Sequence, residues 1–445
     1  VQRTGVTDWL GAVFGPVLAA DRSGMVVVAT ATEARWLAEA AAVFAGNRVV
    51  TVLPEDPAAQ VTSAWVRVAT EPGLLLVGTP RVMLWPLARS GLLASVEEGR
   101  RAMKERQTPT LHVREVLRNR SVVGRSGLVF SGPTPSLELL AAGAEILRTP
   151  GRVWPLVEVV DRSSEPGLFT PAVKMAIRAA VSNRARVFVF THRRGYAPAS
   201  RCVRCRSLRR CPDCGSRPDP GRSCTRCGAL LGPCPACGGG RFEPLGAGVG
   251  RATEELRRFT GPVVEAPGTG PVVVGSEADL ASLPPQDLVV VTDADGLIYG
   301  TSFRAAEDAL RVLARLAGKL APARGRRMMV QTVDPGHPVV AALRRGDPTG
   351  FLQAELENRS RLGFPPSTDL VVVELRSARP PRVDEDLHQA AAGSTVLGPV
   401  EAREGTRWLI QGDDLSVFRR NLRPLVQRWR DTGATVRIDV DPIDL

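Results

Sequence analysis

Lysine is almost missing from this chain: of its 58 basic residues, only Lys104, Lys174 and Lys319 are not arginine. Four histidines, His112, His192, His337 and His388, stand too far apart in sequence to suggest a shared metal, and no His-Glu-x-x-His or Gly-x-Ser-x-Gly string occurs. Zincin-type hydrolysis and the nucleophile elbow of the α/β-hydrolases therefore lack their residues. No stretch approaches ~18 uncharged apolar residues, so no membrane-spanning helix and no membrane partner are expected. The N-terminus has no basic region followed by a long apolar run, so it does not read as a signal peptide. It begins with Val, which fits a truncated chain or an alternative start codon. Outside residues 202–237 there is no cysteine at all, which excludes a secreted fold stapled by disulfides.

What is present is concentrated. All eight cysteines fall in four pairs: Cys202 with Cys205, Cys211 with Cys214, Cys224 with Cys227, and Cys234 with Cys237. Each Cys-x-x-Cys can curl into a knuckle that aims two thiolates at one tetrahedral ion. Glycine follows three of the pairs, at Gly215, Gly228 and Gly238, where the chain must turn sharply. Eight ligands suffice for two closed sites, which leave no position for water and are structural. A redox dithiol usually stands alone on a helix, and an iron–sulfur cluster would use the same thiolates. Zinc in a reducing cytoplasm is the reading carried forward.

The net charge of +12 suits a polyanionic partner, although a general arginine bias would give the same number. Two four-thiolate zinc sites each carry a net −2, which lowers the total to about +8. Part of the arginine in residues 201–241 is thus expected to neutralise thiolate rather than meet nucleic acid.

Apolar runs alternate with helical patterns on both sides of the cysteines. Met25–Thr30, Val49–Leu53, Leu74–Val77 and Leu128–Phe130 read as strands, with a helix over Glu33–Phe44. Arg186–Phe190, Val272–Val274, Leu288–Val291 and Arg327–Thr332 continue the pattern, with a helix over Ala305–Leu320. Alternation of this kind indicates α/β domains on largely parallel sheets, the cysteines being an insertion in the second. The double proline ending Glu355–Pro366 marks a boundary. Beyond it, strands at Leu370–Leu375, Arg407–Gln411 and Thr435–Val440 surround a helix at Leu415–Arg430, a small α+β domain.

The string His192-Arg193-Arg194-Gly195-Tyr196-Ala197-Pro198, the four cysteine pairs, Gly246-Ala247-Gly248 and Thr253-Glu254-Glu255-Leu256 together resemble the PriA family of primosomal replication-restart proteins. That family consists of superfamily 2 DNA helicases with a cysteine-rich insertion in the second motor lobe. Weaker matches are Phe303–Glu307, Gln331-Thr332, Pro365-Pro366 and Val436–Pro442; Val77–Thr79 and Thr134–Glu138 fall where lobe-one patterns would. The resemblance implies a degenerate RecA-like lobe over 1–150 and a second RecA-like lobe over 151–350. It further implies a double zinc module inserted at 200–243 and a C-terminal α+β domain over 355–445. It pairs Cys202, Cys205, Cys234 and Cys237 on one Zn²⁺, and Cys211, Cys214, Cys224 and Cys227 on a second. It also places Arg193 and Arg194 at the junction of lobe and zinc module, as contacts to DNA or a partner, against the plainer reading of a solvated loop.

The departures concern phosphoryl transfer. No Gly-x-x-x-x-Gly-Lys-Ser/Thr occurs; Gly318-Lys319 is followed by Leu320 and lacks the upstream glycine. The Asp-Glu-x-His motif is met at best by Val96-Glu97-Glu98-Gly99, and the arginine-finger string by Gly318–Pro322. Lacking a phosphate cradle, a Mg²⁺ carboxylate and a finger, the chain is expected to keep the helicase shape without hydrolysing ATP, as in PriA-like proteins of high-GC Gram-positive bacteria. No catalytic residue is assigned, and ATP stays a doubtful cofactor beside two Zn²⁺. The expected role is a scaffold for primosome assembly on branched or single-stranded DNA, with the replicative helicase, its loader and single-stranded DNA-binding protein as partners, in the cytoplasm at the nucleoid. The family's N-terminal DNA-binding region has no counterpart here, so a longer reading frame upstream is expected. The rivals are an active ATP-dependent 3′→5′ helicase and a zinc-ribbon nucleic-acid adaptor. Of the remaining residues, Asp293 and Asp295 read as turn formers, Trp408 and Phe418 as core, and Asp439 and Asp441 as part of a half-exposed strand.

Overall fold

The computed structural model describes residues 8–105, 107, 110–147, 154–165, 167–192, 199–205, 207–213, 221–224, 228–245, 248–266, 268–300, 302–322, 325–376, 382–391, 393–402 and 405–443. The chain divides into two compact units. One holds 150–301 and 305–348; the other joins 4–149 to 349–445 and takes in the short segment 302–304. Among the described residues, no helix is long and apolar enough to cross a membrane.

The second of these units begins with a five-stranded parallel sheet. Its strands are β1 (Ser23–Val27), β2 (Val49–Val52), β3 (Leu75–Gly78), β4 (Ser90–Val96) and β5 (Gly127–Ser131), in the order β2-β3-β1-β4-β5. Val26 faces one core with Leu75, Val77 and Leu92, while Met25 and Val27 face another with Val50, Val52 and Leu76. Both faces of the central β1 and β3 are covered, which is why they read as apolar runs. The helix Ala31–Ala45 starts where the Thr30 hydroxyl accepts from the Glu33 N–H at 3.3 Å and ends at Gly46, whose φ of +58° few other residues adopt.

In the other unit, β6 (Leu156–Asp161), β7 (Val187–Phe190), β10 (Val264–Glu265), β11 (Val272–Gly275), β12 (Leu288–Val291) and β13 (Arg327–Thr332) form a parallel sheet ordered β10-β11-β7-β12-β13-β6. The helices Pro171–Ser182 and Val249–Thr260 cover one face through Val173, Ile177, Ala252 and Leu256. The cysteine segment follows β7 and is bounded by an antiparallel pair, β8 (Ala199–Cys202) with β9 (Phe242–Leu245). The chain thus leaves a parallel sheet at a strand's carboxyl end and returns through a two-stranded stem.

Residues 369–440 form an antiparallel sheet of β14 (Asp369–Arg376), β15 (Thr395–Ala402), β16 (Gly405–Gly412) and β17 (Thr435–Val440), ordered β15-β16-β14-β17. The helix Ser416–Asp431 packs Phe418, Leu422 and Trp429 against Trp408, Val371 and Val373, so Trp408 and Phe418 are core. The expected class is present: two α/β lobes on parallel sheets, a cysteine cluster inserted in the second, and a C-terminal α+β domain. Asp439 is the partly exposed strand residue expected of it, and it also takes part in an ion pair. Lys104 reaches its carboxylate at 2.6 Å and the carbonyls of Val440 and Asp441, also at 2.6 Å, so the strand end is an anchor against the first lobe.

Candidate metal centre

Cys202 ends the first stem strand, and its N–H donates to the Ser207 carbonyl at 2.9 Å. The same step of five residues recurs twice: the Cys224 N–H to the Ala229 carbonyl at 2.8 Å, and the Cys234 N–H to the Gly239 carbonyl at 2.9 Å. In the latter two the Gly228 and Gly238 N–H groups also return to the cysteine carbonyls at 2.8 Å, with φ of +79° and +69°. The same five-residue closure therefore recurs at three cysteines, and at two of them a glycine carries the curl through positive φ.

Two of these curls meet. The sulfurs of Cys202, Cys205, Cys234 and Cys237 all lie within 4.8 Å of one another, with Cys202 to Cys237 at 3.5 Å and Cys205 to Cys234 at 3.6 Å. A tetrahedral ion bound at about 2.3 Å to each sulfur places ligands a little under 4 Å apart, so the four thiols fit a metal ion. Four thiolates this close repel one another and ionise together only around a cation. The Ser207 hydroxyl holds the Cys234 thiol down, to about 6, and the Cys205 thiol below its ordinary value. Cys237 goes the other way: the Gly239 N–H lowers it, and the neighbouring thiols outweigh that and push it up to about 12.

Of the other expected ligands, Cys211 and Cys224 are buried; Cys214 and Cys227 lie outside the described residues, as do Arg193 and Arg194. Three contributors were not anticipated. Ser207 stands 3.0 Å from Cys205 Sγ and 3.2 Å from Cys234 Sγ. Gly239 leaves no room for a side chain, since a Cβ there would sit 3.1 Å from Cys202 Sγ and 3.3 Å from Cys237 Sγ. Arg209 is buried, donates to the carbonyls of Gly221, Leu231 and Gly232 at 2.8–3.2 Å, and lies 3.9 Å over the Phe242 ring. This arginine ties the loops of the module together. Only the glycine run 238–240 hints at any of this in sequence.

In the other unit, the acidic pair after β4 is engaged internally. Glu98 is 3% exposed and accepts from Arg114 at 3.0 Å and from the Ser136 N–H at 3.1 Å. Glu97, at φ +54°, accepts from Arg100 at 3.2 Å, and Arg100 also reaches Glu33 at 2.5 Å. Arg114 lies 3.4 Å from Glu138, which Arg304 also grips. Paired arginines hold the Glu138 carboxyl far below its usual range against the opposing effect of burial. His112, whose Nδ1 accepts from the Arg114 N–H and caps the helix Val113–Gly124, is driven well below its ordinary value by burial and then by Arg114. Asp293 accepts from the Asp295 and Gly296 N–H groups at 3.1 and 3.4 Å, the turn expected of it.

Residues 360–443 match the family model described as "Primosomal protein N C-terminal domain". The probable replication restart protein PriA of Mycobacterium leprae is 29% identical over 86% of this chain and 67% of its own length. Its counterpart in Mycobacterium tuberculosis (strain H37Rv) is 27% identical over 95% and 74%. The replication restart protein PriA of Synechocystis is 24% identical over 90% of this chain, which spans 56% of that relative. Among solved structures, RecG bound to a three-way DNA junction is 12% identical with a TM-score of 0.43, covering 80% of this chain and 46% of its own. Yeast Dbp5 bound to RNA and ADP BeF3 is 10% identical with a TM-score of 0.41, covering 80% and 86%.

Proposed function

This chain is related across most of its length to the PriA replication-restart proteins, and we propose that it is a replication-restart factor that binds branched or single-stranded DNA and does not hydrolyse ATP. The sequence relationship, extending through both lobes, the cysteine module and the C-terminal domain, carries the restart role. Its partners in this reading are the replicative helicase with its loader and single-stranded DNA-binding protein, and its place is the cytoplasm, at the nucleoid.

The absence of hydrolysis is supported by what stands at the Asp-Glu-x-His position, Val96-Glu97-Glu98-Gly99. A carboxylate that holds Mg²⁺ and orients water must face the nucleotide with free lone pairs. Here Val96 stands in place of the first carboxylate, Glu97 accepts from Arg100 at 3.2 Å, and no Gly-x-x-x-x-Gly-Lys-Ser/Thr string lies in these 445 residues to cradle a phosphate. Purified protein with a forked DNA should release phosphate no faster than a Cys202→Ser control. DNA-stimulated turnover above that control, or a thermal shift on adding Mg-ATP, would establish the active helicase instead.

For the cysteines, the reading is two structural zinc ions, one on Cys202, Cys205, Cys234 and Cys237 and the other on Cys211, Cys214, Cys224 and Cys227. The shared curl at Cys202, Cys224 and Cys234 supports the second site, because it is the curl that presents thiols at the first. Zinc supplies folding energy to spacers that have no core of their own, and no chemical step passes through it. The residue limits 1–150, 151–350, 200–243 and 355–445 are proposed as the domains, with Arg193 and Arg194 as contacts to DNA or a partner.

A further inference from the structure

The first lobe carries an open cleft of about 340 Å³ lined by Val61, Thr62, Trp65, Arg81 and Trp85. Val61, Thr62 and Trp65 come from one face of the helix Ala58–Thr70, at spacings that bring them side by side. Trp65 is 45% exposed, and Leu84, adjacent in sequence to Trp85, is 62% exposed. Large apolar side chains left in water on a basic protein call for an explanation.

The far wall is held rigid. Arg120 donates to the Trp85 carbonyl at 2.7 Å and to the Met83 carbonyl, the Trp85 N–H returns to the Val82 carbonyl at 2.9 Å, and Val82 and Met83 are buried beneath. A preorganised wall loses little freedom when something docks on it. Arg81, in contrast, is exposed, and its guanidinium has only a long 3.5 Å approach to the Pro54 carbonyl. Among the described residues, no acidic side chain lines the cleft.

We propose that this cleft is a base-stacking site for single-stranded DNA, with Trp65 and Trp85 taking a nucleobase and Arg81 the adjoining phosphate. Two indoles beside one cation match a nucleotide unit, which offers a flat π-face next to a negative charge. A volume near the lower end of small-ligand sites, about 300–1,000 Å³, suits a base or two. A proline-rich peptide would also stack on tryptophan, but it brings no anion for Arg81. The proposal rests on the DNA-binding reading above and names a site for it.

The test is fluorescence anisotropy of the full chain with a labelled 12-mer of thymidine, at several salt concentrations. Trp65→Ala should weaken binding roughly 5- to 100-fold, as loss of a stacking partner does, while Trp65→Phe restores most of it. Arg81→Ala should make the salt dependence shallower by about one phosphate contact. If the parent protein binds the oligomer and Trp65→Ala binds within twofold of it, the site is wrong and the DNA-binding reading survives. If the parent binds neither this oligomer nor a forked DNA, both fall. If Trp65→Ala abolishes binding of a proline-rich peptide and leaves the oligomer unaffected, the cleft is a peptide site and the proposal is overturned.

Discussion

Burying Arg114 beside Glu98 and Glu138 takes three charges out of water, and the arrangement survives because each has a partner at bonding distance. Removing the cation alone is therefore worse than never having had the pair. Arg114→Met should cost about 3–5 kcal/mol, read from urea unfolding, because two carboxylates are left buried. Arg114→Lys should not restore it, since the guanidinium fork reaches Glu98, Glu115 and Glu138 together. Acid should act in two steps. His112 is held below its ordinary value near 6.5, so the unfolded chain binds its proton first and stability falls as pH drops below about 6.5. Glu138 is likewise depressed, and its contribution, full above about 4.3, is lost as pH falls further. His112→Asn keeps a capping side chain, so it should remove the slope that sets in below about pH 6.5 and leave the one due to Glu138; urea midpoints across pH 3–8 check this. At the metal, Ser207→Ala should lower affinity roughly tenfold or more, measured against a chromophoric chelator, because outer partners tune thiolate ligands.

Among the elements, strands built of consecutive valines were legible. Leu288–Val291 and Arg327–Thr332 fall where the sequence puts them because two covered faces demand nearly unbroken apolar residues, and Thr435–Val440 because it alternates apolar with polar residues on a half-covered edge strand. The strand Ser90–Val96 was missed: it opens Ser-Gly and mixes Ala and Ser among its apolar positions. The strand Thr395–Ala402 was hidden by Gly398-Pro399, which reads as a turn. In the helix Ala58–Thr70 only Val68 is buried, so its period is faint. The cluster of Cys202, Cys205, Cys234 and Cys237 was legible because its signal is local. The ion network was not, because Arg304 and Glu138 are 166 residues apart. The repeated curl predicts two equivalent elements, so elemental analysis should find about two zinc ions per chain, falling to about one in Cys224→Ser and in Cys202→Ser. Gly239→Val, whose side chain would press on two sulfurs, should lose the first ion while the second stays.

At the scale of the whole molecule, a net charge of +12, which the two proposed zinc sites would lower to about +8, makes long-range attraction to phosphate a property of the chain rather than of one patch. DNA affinity should therefore drop steeply between about 50 and 200 mM salt, and a flat titration would speak against backbone contacts altogether. Lys104 adds a constraint of another kind. Its partner Asp439 lies 335 residues downstream. On a ribosome moving at about 5–20 residues per second, the first lobe emerges many seconds before the strand that satisfies this amine. Until then this amine waits without its carboxylate, so completion of the first lobe is deferred until Asp439 has been made, and a nascent chain short of that residue presents an unfinished lobe to chaperones and proteases.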